Sequence, residues 1–215
     1  MKIYVLIFLG IIIGCNGNDI HQPKRSIFGW YSQSDSLITP RLFEFMVYDN
    51  IANDSILITS HDSVFCSYKR VIDTSGIYRF CNGQKIKTHS FQDTLITEYC
   101  RSCLPFLNKN VSFRDKKTYL IGRRQFIVYH FIENTGNHTT YDSYFLKEAG
   151  PLCYYSFDRD DYIFCDSLIG YDITAAELSE LKRDILSDTT FFARFILKRL
   201  MPNYYRQAAR PNRFE

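Results

Sequence analysis

The sequence has few of the features from which a function is usually recognised. It contains no G-x-G-x-x-G segment, no P-loop and no G-x-S-x-G turn, so neither a nucleotide cofactor nor a serine-hydrolase elbow is indicated. Its 26 basic and 23 acidic residues nearly balance, whereas a nucleic-acid-binding protein carries a basic stripe. We therefore predict no cofactor and no nucleic-acid partner.

Residues that bind metal ions occur only in incomplete patterns. Cys100 and Cys103 form one C-x-x-C pair, but a zinc ribbon requires a second pair. A calcium loop beginning at Asp158 would need Gly and Glu at the positions that Ile163 and Ile169 occupy. We interpret the acidic segment 158–161 as a solvated hairpin turn, and we predict no metal site.

The histidines give no catalytic grouping. His61, Asp62 and Ser63 are adjacent in the sequence, and adjacent residues cannot form a relay whose three groups must converge in space. His130 lies within an apolar run, which favours a buried and hydrogen-bonded histidine. No catalytic residue is predicted, and a hydrolase site assembled from distant residues stays open as an alternative.

Tryptophan is scarce, with Trp30 alone, but the other aromatic residues are abundant. The 215 residues include 18 phenylalanines and 16 tyrosines, which favour the half-buried surfaces of β-sheets. A chain of this length buries a large core without needing disulfides to fold. The composition predicts a β-rich domain, and a sugar- or peptide-binding aromatic face is the alternative interpretation.

The first fifteen residues have the layout of a secretory signal. Lys2 precedes eleven uncharged residues, 3–13, after which Gly14 and Cys15 follow. A basic start, a short apolar centre and small residues at the exit are typical of such signals. The apolar run is too short for a transmembrane helix. A cleaved secretory signal and an uncleaved anchor both fit this layout.

The end of this segment, Ile12-Ile13-Gly14-Cys15, resembles the lipobox of bacterial lipoproteins. The resemblance covers only these residues. It implies cleavage before Cys15, acylation of its sulfur, and a cell-envelope protein held to a membrane by lipid, facing the periplasm or the surface. We expect a signal peptide over 1–14, a lipidated cysteine and polar tether over 15–27, and a single domain over 28–215.

Alternation of apolar residues with a period of two begins near residue 42 and predicts a series of strands. Good turn residues at 73–76 and 134–137 separate some of them. The segment 104–118 shows no steady period and is interpreted as a loop. Strands joined by short turns form an antiparallel meander. The predicted strands are 42–48, 56–58, 64–72, 77–81, 94–99, 119–132, 139–147, 152–157 and 162–169.

After residue 173 the apolar spacing becomes that of helices. Thr174 and Glu177 fit a capping box, and Leu178, Leu181 and Ile185 follow at helical spacing. A second helix is predicted over 190–200. The fold class is therefore α+β, with an antiparallel, aromatic-rich sheet of about eight to ten strands and two C-terminal helices.

The C-terminal segment 194–215 is strongly basic, with one acidic residue, Glu215. We interpret it as a solvated tail, with contact to anionic lipid or to an acidic protein partner as alternatives. Its basic residues are Arg194, Lys198, Arg199, Arg206, Arg210 and Arg213.

Seven cysteines are present, and six remain if Cys15 carries lipid. An even number in an exported protein suggests disulfides. Counting symmetrically about the predicted turns sets two pairs of cysteines opposite each other, at a spacing that a disulfide can bridge. Buried free thiols are the alternative. The predicted pairs are Cys66–Cys81, Cys153–Cys165 and Cys100–Cys103.

Together these patterns favour a non-enzymatic envelope lipoprotein that binds a partner or assists envelope assembly. The predicted partner is the membrane through the lipid, with an envelope protein as a further candidate, and the sequence identifies no small-molecule ligand. The alternative is a thiol–disulfide oxidoreductase that uses Cys100 and Cys103. A loop, rather than a helix that would stabilise a thiolate, is predicted after Cys103, so the non-enzymatic interpretation is preferred.

Overall fold

The computed structural model of this chain describes residues 22–48, 54–60, 63–81, 83–92, 95–96, 110–134, 140–156 and 158–200. Twelve strands and two helices make up most of these residues. The strands are β1 (Lys24–Tyr31), β2 (Leu37–Tyr48), β3 (Asp54–Ser60), β4 (Ser63–Ile72), β5 (Gly76–Cys81), β6 (Gln84–Ser90), β7 (Leu95–Ile96), β8 (Asn110–Ile121), β9 (Arg124–Asn134), β10 (Thr140–Leu146), β11 (Gly150–Ser156) and β12 (Asp161–Ile169). The helices are α1 (Ala175–Ser187) and α2 (Ala193–Leu200).

The strands form one antiparallel sheet in the order β6-β5-β4-β3-β2-β1-β12-β11-β10-β9-β8-β7. Neighbours in the sheet are neighbours in the chain, except that β1 pairs with β12 in the middle. The sheet curls, so that β6 at one edge contacts β7 and β8 at the other. The predicted α+β class, with an antiparallel meander and two C-terminal helices, is confirmed.

The alternating strand directions give the sheet two ends. β1 begins at Lys24, which pairs with Val47 near the end of β2. The same end of the sheet holds the β8–β9 turn at Gly122 and the β10–β11 turn at 147–149, because Ile121 pairs with Arg124 and β10 meets β11 there. We call this the entry end, since the described chain enters the sheet there.

Apolar side chains cover both faces of the middle strands. On one face, Tyr144, Tyr155 and Phe164 are fully buried beneath the helices. On the other face, Phe131 and Phe145 pack with Ile77 from β5. Each fully buried side chain of this size contributes about 1.5–3 kcal/mol relative to an exposed one. The core therefore requires both the helices and the curled β4–β6 arm.

Helix α1 forms as its sequence predicts. The Thr174 hydroxyl accepts a hydrogen bond from the Glu177 amide at 3.2 Å, and the Glu177 carboxylate accepts one from the Thr174 amide at 2.8 Å. Leu178, Leu181 and Ile185 are buried against the sheet. These reciprocal bonds satisfy backbone donors that the first turn leaves unpaired. The predicted capping box is thus confirmed.

Asp188 ends α1 and ties the connection between the helices to strand β8. Its carboxylate accepts hydrogen bonds from Tyr119 at 3.0 Å, from the Thr190 hydroxyl at 2.8 Å and from the Phe191 amide at 3.1 Å, and it pairs with Lys117. Burial alone would raise the pKa of Asp188, but the hydrogen bonds from Lys117 and Thr190 outweigh it and hold that pKa below its ordinary value.

The sheet has twelve strands rather than the predicted eight to ten, because β1 and β6 were not predicted. Several boundaries also differ from the sequence-based expectations. The predicted tether over 15–27 is too long, because β1 already begins at Lys24. The predicted loop over 104–118 is wrong from Asn110 onward, where β8 begins. The predicted single strand over 119–132 is two strands, because Gly122, at φ +59°, turns the chain between β8 and β9.

The second helix is shorter than predicted. It begins at Ala193 rather than at residue 190, and Phe191 and Phe192 lie in the connection before it. Both rings are buried against tyrosines of the sheet, with ring centroids 5.5 Å apart for Tyr144 with Phe191 and for Tyr155 with Phe192. Neither helix within the described ranges has the length and apolar character needed to cross a bilayer.

The Asp188 site predicts an acid-sensitive contribution to stability. A carboxyl whose pKa is lowered by folding stabilises the fold above its unfolded pKa, and the contribution disappears as pH falls through the folded pKa. We expect Asp188→Asn to lower the free energy of unfolding by about 1–3 kcal/mol near neutral pH, and by less at about pH 2, because the contribution declines once the pH falls below the unfolded pKa toward the lowered folded one. Urea denaturation at the two pH values measures this.

Glu180→Gln, an exposed position on α1, is the matched control. It should change stability little at either pH, because exposed ion pairs contribute little. An equal loss for Asp188→Asn at both pH values would contradict the assigned ionic role.

Candidate functional site

An open cleft of about 500 Å³ lies at the entry end of the sheet. Small-molecule sites are commonly about 300–1,000 Å³. Strands β1 to β4, the β10–β11 turn and the segment after β12 each contribute residues. The charged lining residues are Lys24, Asp54, Arg70, Lys147 and Glu148, and the remaining ones are Val47, Ile72 and Tyr171.

Arg70 is the buried charged residue of this lining, with 7% of its surface exposed. The β3–β4 register sets it directly opposite Asp54, and its Nη2 donates a hydrogen bond to Asp54 Oδ2 at 2.8 Å. Its Nε is buried and has no hydrogen-bond partner among the described residues. A guanidinium carries five N–H donors and no acceptor, so one carboxylate satisfies only part of it.

Gly150 lies beside the Arg70 guanidinium and leaves room for it. A Cβ at this position would lie 2.7 Å from Arg70 Nη1, and the residue adopts φ +91°. Glycine is permitted at such a φ, where other residues are strained. Only an unsubstituted α-carbon therefore lets the guanidinium lie against the start of β11.

Cations outnumber anions in the cleft, with three basic residues against two acidic ones. Lys147 is exposed on the β10–β11 turn, and Lys24 Nζ lies 5.7 Å from the centroid of the Tyr171 ring. Val47, 3% exposed, supplies a buried apolar floor. The cleft thus combines charged residues of both signs, with an excess of one cation, and apolar and aromatic surface.

A buried polar network closes the curled sheet away from this cleft. His89 Nε2 on β6 lies 3.2 Å from Glu133 Oε1 on β9, and the Ser143 hydroxyl on β10 donates to the same oxygen. All three residues are at most 5% exposed. A hydrolytic relay places the imidazole between hydroxyl and carboxylate, whereas here the carboxylate is central. The network therefore joins three strands rather than activating Ser143.

His130 is buried, as predicted, and belongs to the core. Its Nε2 lies 2.6 Å from Asp142 Oδ1, and its ring stacks on Tyr144 with centroids 4.6 Å apart. Phe191 packs against the same imidazole. Because aromatic rings enclose it, the His130–Asp142 pair has no opening toward a substrate.

Arg194 and the acidic turn 158–161 differ from their predicted roles. Asp160 is 8% exposed rather than solvated. Arg194, expected in a basic tail, is buried, with Nε 3.1 Å from Asp160 Oδ1 and Nη1 2.9 Å from Asp35 Oδ1. Tyr155 also donates to Asp160 at 2.8 Å. The arginine therefore joins α2 to two turns of the sheet.

The disulfide predicted between Cys153 and Cys165 is wrong, because both residues carry free, buried thiols. The β11–β12 register pairs Cys153 with Phe164, and adjacent strand residues point to opposite faces. Burial raises the pKa of the Cys153 thiol well above its ordinary value and that of Cys165 to about 12. Neither thiol is poised as a nucleophile.

The other predicted site residues fall mostly outside the described residues. Cys15, Cys100 and Cys103 lie outside them entirely, as does His61. The backbones of Cys66 and Cys81 belong to β4 and β5, whose register pairs Lys69 with Phe80; continued by one step, it sets Tyr68 opposite Cys81. Across the described ranges, no three His, Cys, Asp or Glu side chains converge on a metal position.

Sequence reasoning did not identify the cleft residues. They come from six separate segments and share no local motif. The available signal was the pair of charged residues Lys69 and Arg70 inside the predicted strand 64–72. Adjacent strand residues point to opposite faces, so one of the two was expected on the buried face, and the structure shows that it is Arg70.

The buried thiols predict a specific alkylation pattern. In the native full-length chain, Cys153 and Cys165 should resist iodoacetamide near neutral pH, because burial both blocks access and disfavours the reactive thiolate. After denaturation without reductant, both should be alkylated. Peptide mass spectrometry measures the labelling, and a disulfide-linked peptide containing both cysteines would contradict the structure.

Comparisons with known proteins assign no relative to this chain. A scan against protein-family models finds no match, and a comparison with curated proteins finds no significant match. Because fold alone does not specify function, the chemistry of the cleft residues is the basis for assigning one.

Proposed function

We propose that this chain is a lipid-anchored, non-enzymatic cell-envelope protein that binds a small ligand in the cleft at the entry end. The observation that carries the proposal is the cleft itself, where five charged residues lie beside the apolar and aromatic side chains of Val47, Ile72 and Tyr171. Binding sites for small molecules use polar groups to orient the ligand and apolar surface to bury it, and this lining offers both, with charged residues in the majority. An envelope-assembly role is compatible with the same site.

A lipid on Cys15 would limit the distance between the cleft and the membrane surface. Cys15, the residue of the lipobox-like segment, precedes Lys24 by nine positions. Nine residues span at most about 30 Å when extended. With Cys15 acylated, the entry end and its cleft therefore stay within about that distance of the membrane surface. Lys24 both begins β1 and lines the cleft, so the anchor and the ligand site share one end of the domain.

The thiol–disulfide oxidoreductase alternative rests on Cys100 and Cys103 alone. Both lie outside the described residues, and no described contact adds support for redox chemistry. The two described thiols, Cys153 and Cys165, are sealed in the core. Ligand binding is therefore the function that the described geometry favours.

Binding in the cleft is testable with three probes of matched shape and different charge: benzyl alcohol, benzylamine and phenyl phosphate. We expect at least one to shift the backbone amide signals of Val47 and Ile72 saturably in NMR spectra of the full-length chain in detergent micelles. Ile72→Trp should abolish those shifts, because the indole fills the cleft.

Ile127→Trp is the matched control. It makes the same exchange at a partly exposed position of β9 outside the cleft, where Ile127 is 36% exposed, and it should leave binding intact. The proposal fails if none of the three probes shifts the cleft amides, or if both tryptophan variants bind as the parent chain does.

The anchor is testable separately by metabolic labelling with radioactive palmitate. Cys15→Ser should lose the label, because the sulfur that accepts the lipid is gone, and should leave the membrane fraction. Cys165→Ser, at a buried cysteine remote from the signal, should keep both. Label retained in Cys15→Ser, or absent from the unaltered chain, would disprove the anchor without bearing on the cleft.

A further inference from the structure

We infer that the cleft recognises an oxyanion, a carboxylate or phosphate group, on a ligand whose body is apolar, and that Arg70 is the residue that binds it. The inference rests on the proposed function, because it names the ligand class of that same cleft. Its basis is the incomplete pairing of Arg70 compared with that of Arg194, the other buried arginine described in detail above.

The two arginines are buried to the same degree, with 9% of the Arg70 side chain and 8% of the Arg194 side chain exposed. Arg194 uses all three nitrogens: Nε and Nη2 toward Asp160 and Nη1 toward Asp35. Arg70 uses Nη2 toward Asp54. Since leaving a buried cation incompletely paired is costly, a second acceptor beside Arg70 would complete the site.

Arg70 lines the cleft and has one buried donor without a partner. The N–H groups of a guanidinium suit the oxygens of a carboxylate or phosphate. Asp54 already occupies Nη2, so Nε is the donor for which the described structure provides no acceptor. A ligand oxygen is the group that this donor lacks.

The remaining charges favour an anion over a cation. With Asp54 committed to Arg70, the other charged lining residues are Lys24, Lys147 and Glu148. Two cations, Lys24 and Lys147, and one carboxylate, Glu148, therefore remain beside the Arg70–Asp54 pair, an excess of one positive charge. That excess favours an anionic ligand over a cationic one.

The uncharged lining residues indicate which chemical group the rest of the ligand carries. Val47 and Ile72 present aliphatic surface, and the Tyr171 ring stands at the rim. Burying such surface stabilises a complex roughly in proportion to area, and a bare inorganic anion cannot use it. An oxyanion attached to a small aromatic or aliphatic body fits both parts of the cleft.

Gly150 provides a test that leaves every charged residue in place. Gly150→Ala would put a Cβ 2.7 Å from Arg70 Nη1 at φ +91°, which displaces the guanidinium. Gly83→Ala is the matched control: Gly83 adopts φ +80°, but nothing lies within 4 Å of an added Cβ. Both variants carry the same backbone strain, so a difference between them reports on Arg70.

The experiment titrates inorganic phosphate and phenyl phosphate into the full-length chain in nanodiscs of phosphatidylcholine. The Arg70 Nε–Hε signal is followed by NMR and affinity by calorimetry. We expect that signal to shift saturably, with phenyl phosphate binding more tightly. Gly150→Ala and Lys147→Gln should each weaken binding, Gly150→Ala by roughly tenfold or more, and Gly83→Ala should bind as the parent chain does.

A parallel arm identifies the source of the oxyanion. Replacing half of the phosphatidylcholine by phosphatidylglycerol tests whether an anionic lipid headgroup reaches Arg70. A shift in this arm supports the oxyanion site with a lipid as its source, and a shift with phenyl phosphate supports it with a soluble ligand. Loss of binding in Gly150→Ala alone, with Gly83→Ala unaffected, places the site at Arg70.

Two results overturn the inference. If benzylamine or benzyl alcohol shifts the cleft amides while the Arg70 Nε–Hε signal responds to neither phosphate nor anionic lipid, the ligand class is wrong but the ligand-binding function stands. If no probe shifts any cleft amide, the function and the inference fail together. Equal weakening by Gly150→Ala and Gly83→Ala would show that strain, not Arg70, governs binding.

Discussion

The rest of the structure depends on covering both faces of the middle strands with apolar side chains. Tyr144 and Phe145 are neighbours in β10, yet both are buried, one beneath the helices and one beneath the β4–β6 arm. A sheet buried on two sides must pair its polar groups internally. The Glu133 network and the Arg194 pairs meet that requirement for their own residues, whereas four buried side-chain atoms among the described residues, Arg70 Nε included, lack a partner.

Arg194 and Arg70 are both buried, but they differ in how completely their guanidinium groups are paired. Arg194 is held by two carboxylates and a backbone carbonyl, an arrangement that fixes α2 and leaves the guanidinium nothing to recognise. Arg70 has comparable burial but one carboxylate. Burial and charge are therefore not enough to identify a binding residue. A buried donor without an acceptor is a further criterion, because such a group is costly. Arg70 meets it within the cleft lining, whereas Arg79 Nη1, which also lacks a partner among the described residues, lies outside that lining.

Features that depend on residues close together in the sequence could be predicted from it. Features that depend on the register between strands, or on contacts between distant segments, could not. The Thr174 capping box and the Asp73 turn, where Asp73 accepts from the Ser75 amide at 2.8 Å, depend on adjacent residues and were identified from them. The cysteine pairing failed because Cys153 lies opposite Phe164, and a one-residue slip moves a side chain to the other face. The cleft was missed because its residues meet only after six segments assemble.

The pairing of β1 with β12 joins the two halves of the sheet, and it can form only after β12 has been synthesised. Arg25 faces Ile169 across the centre of the sheet, so the contact that joins its two halves connects residues near opposite ends of the described chain. Contacts of large sequence separation slow folding, because the loop entropy is lost before the contact forms. Until β12 has emerged, β1 and β11 are open edges, which can pair with other chains. The interval between the synthesis of β1 and the closure of this central pair is therefore the period in which the chain is most exposed to aggregation.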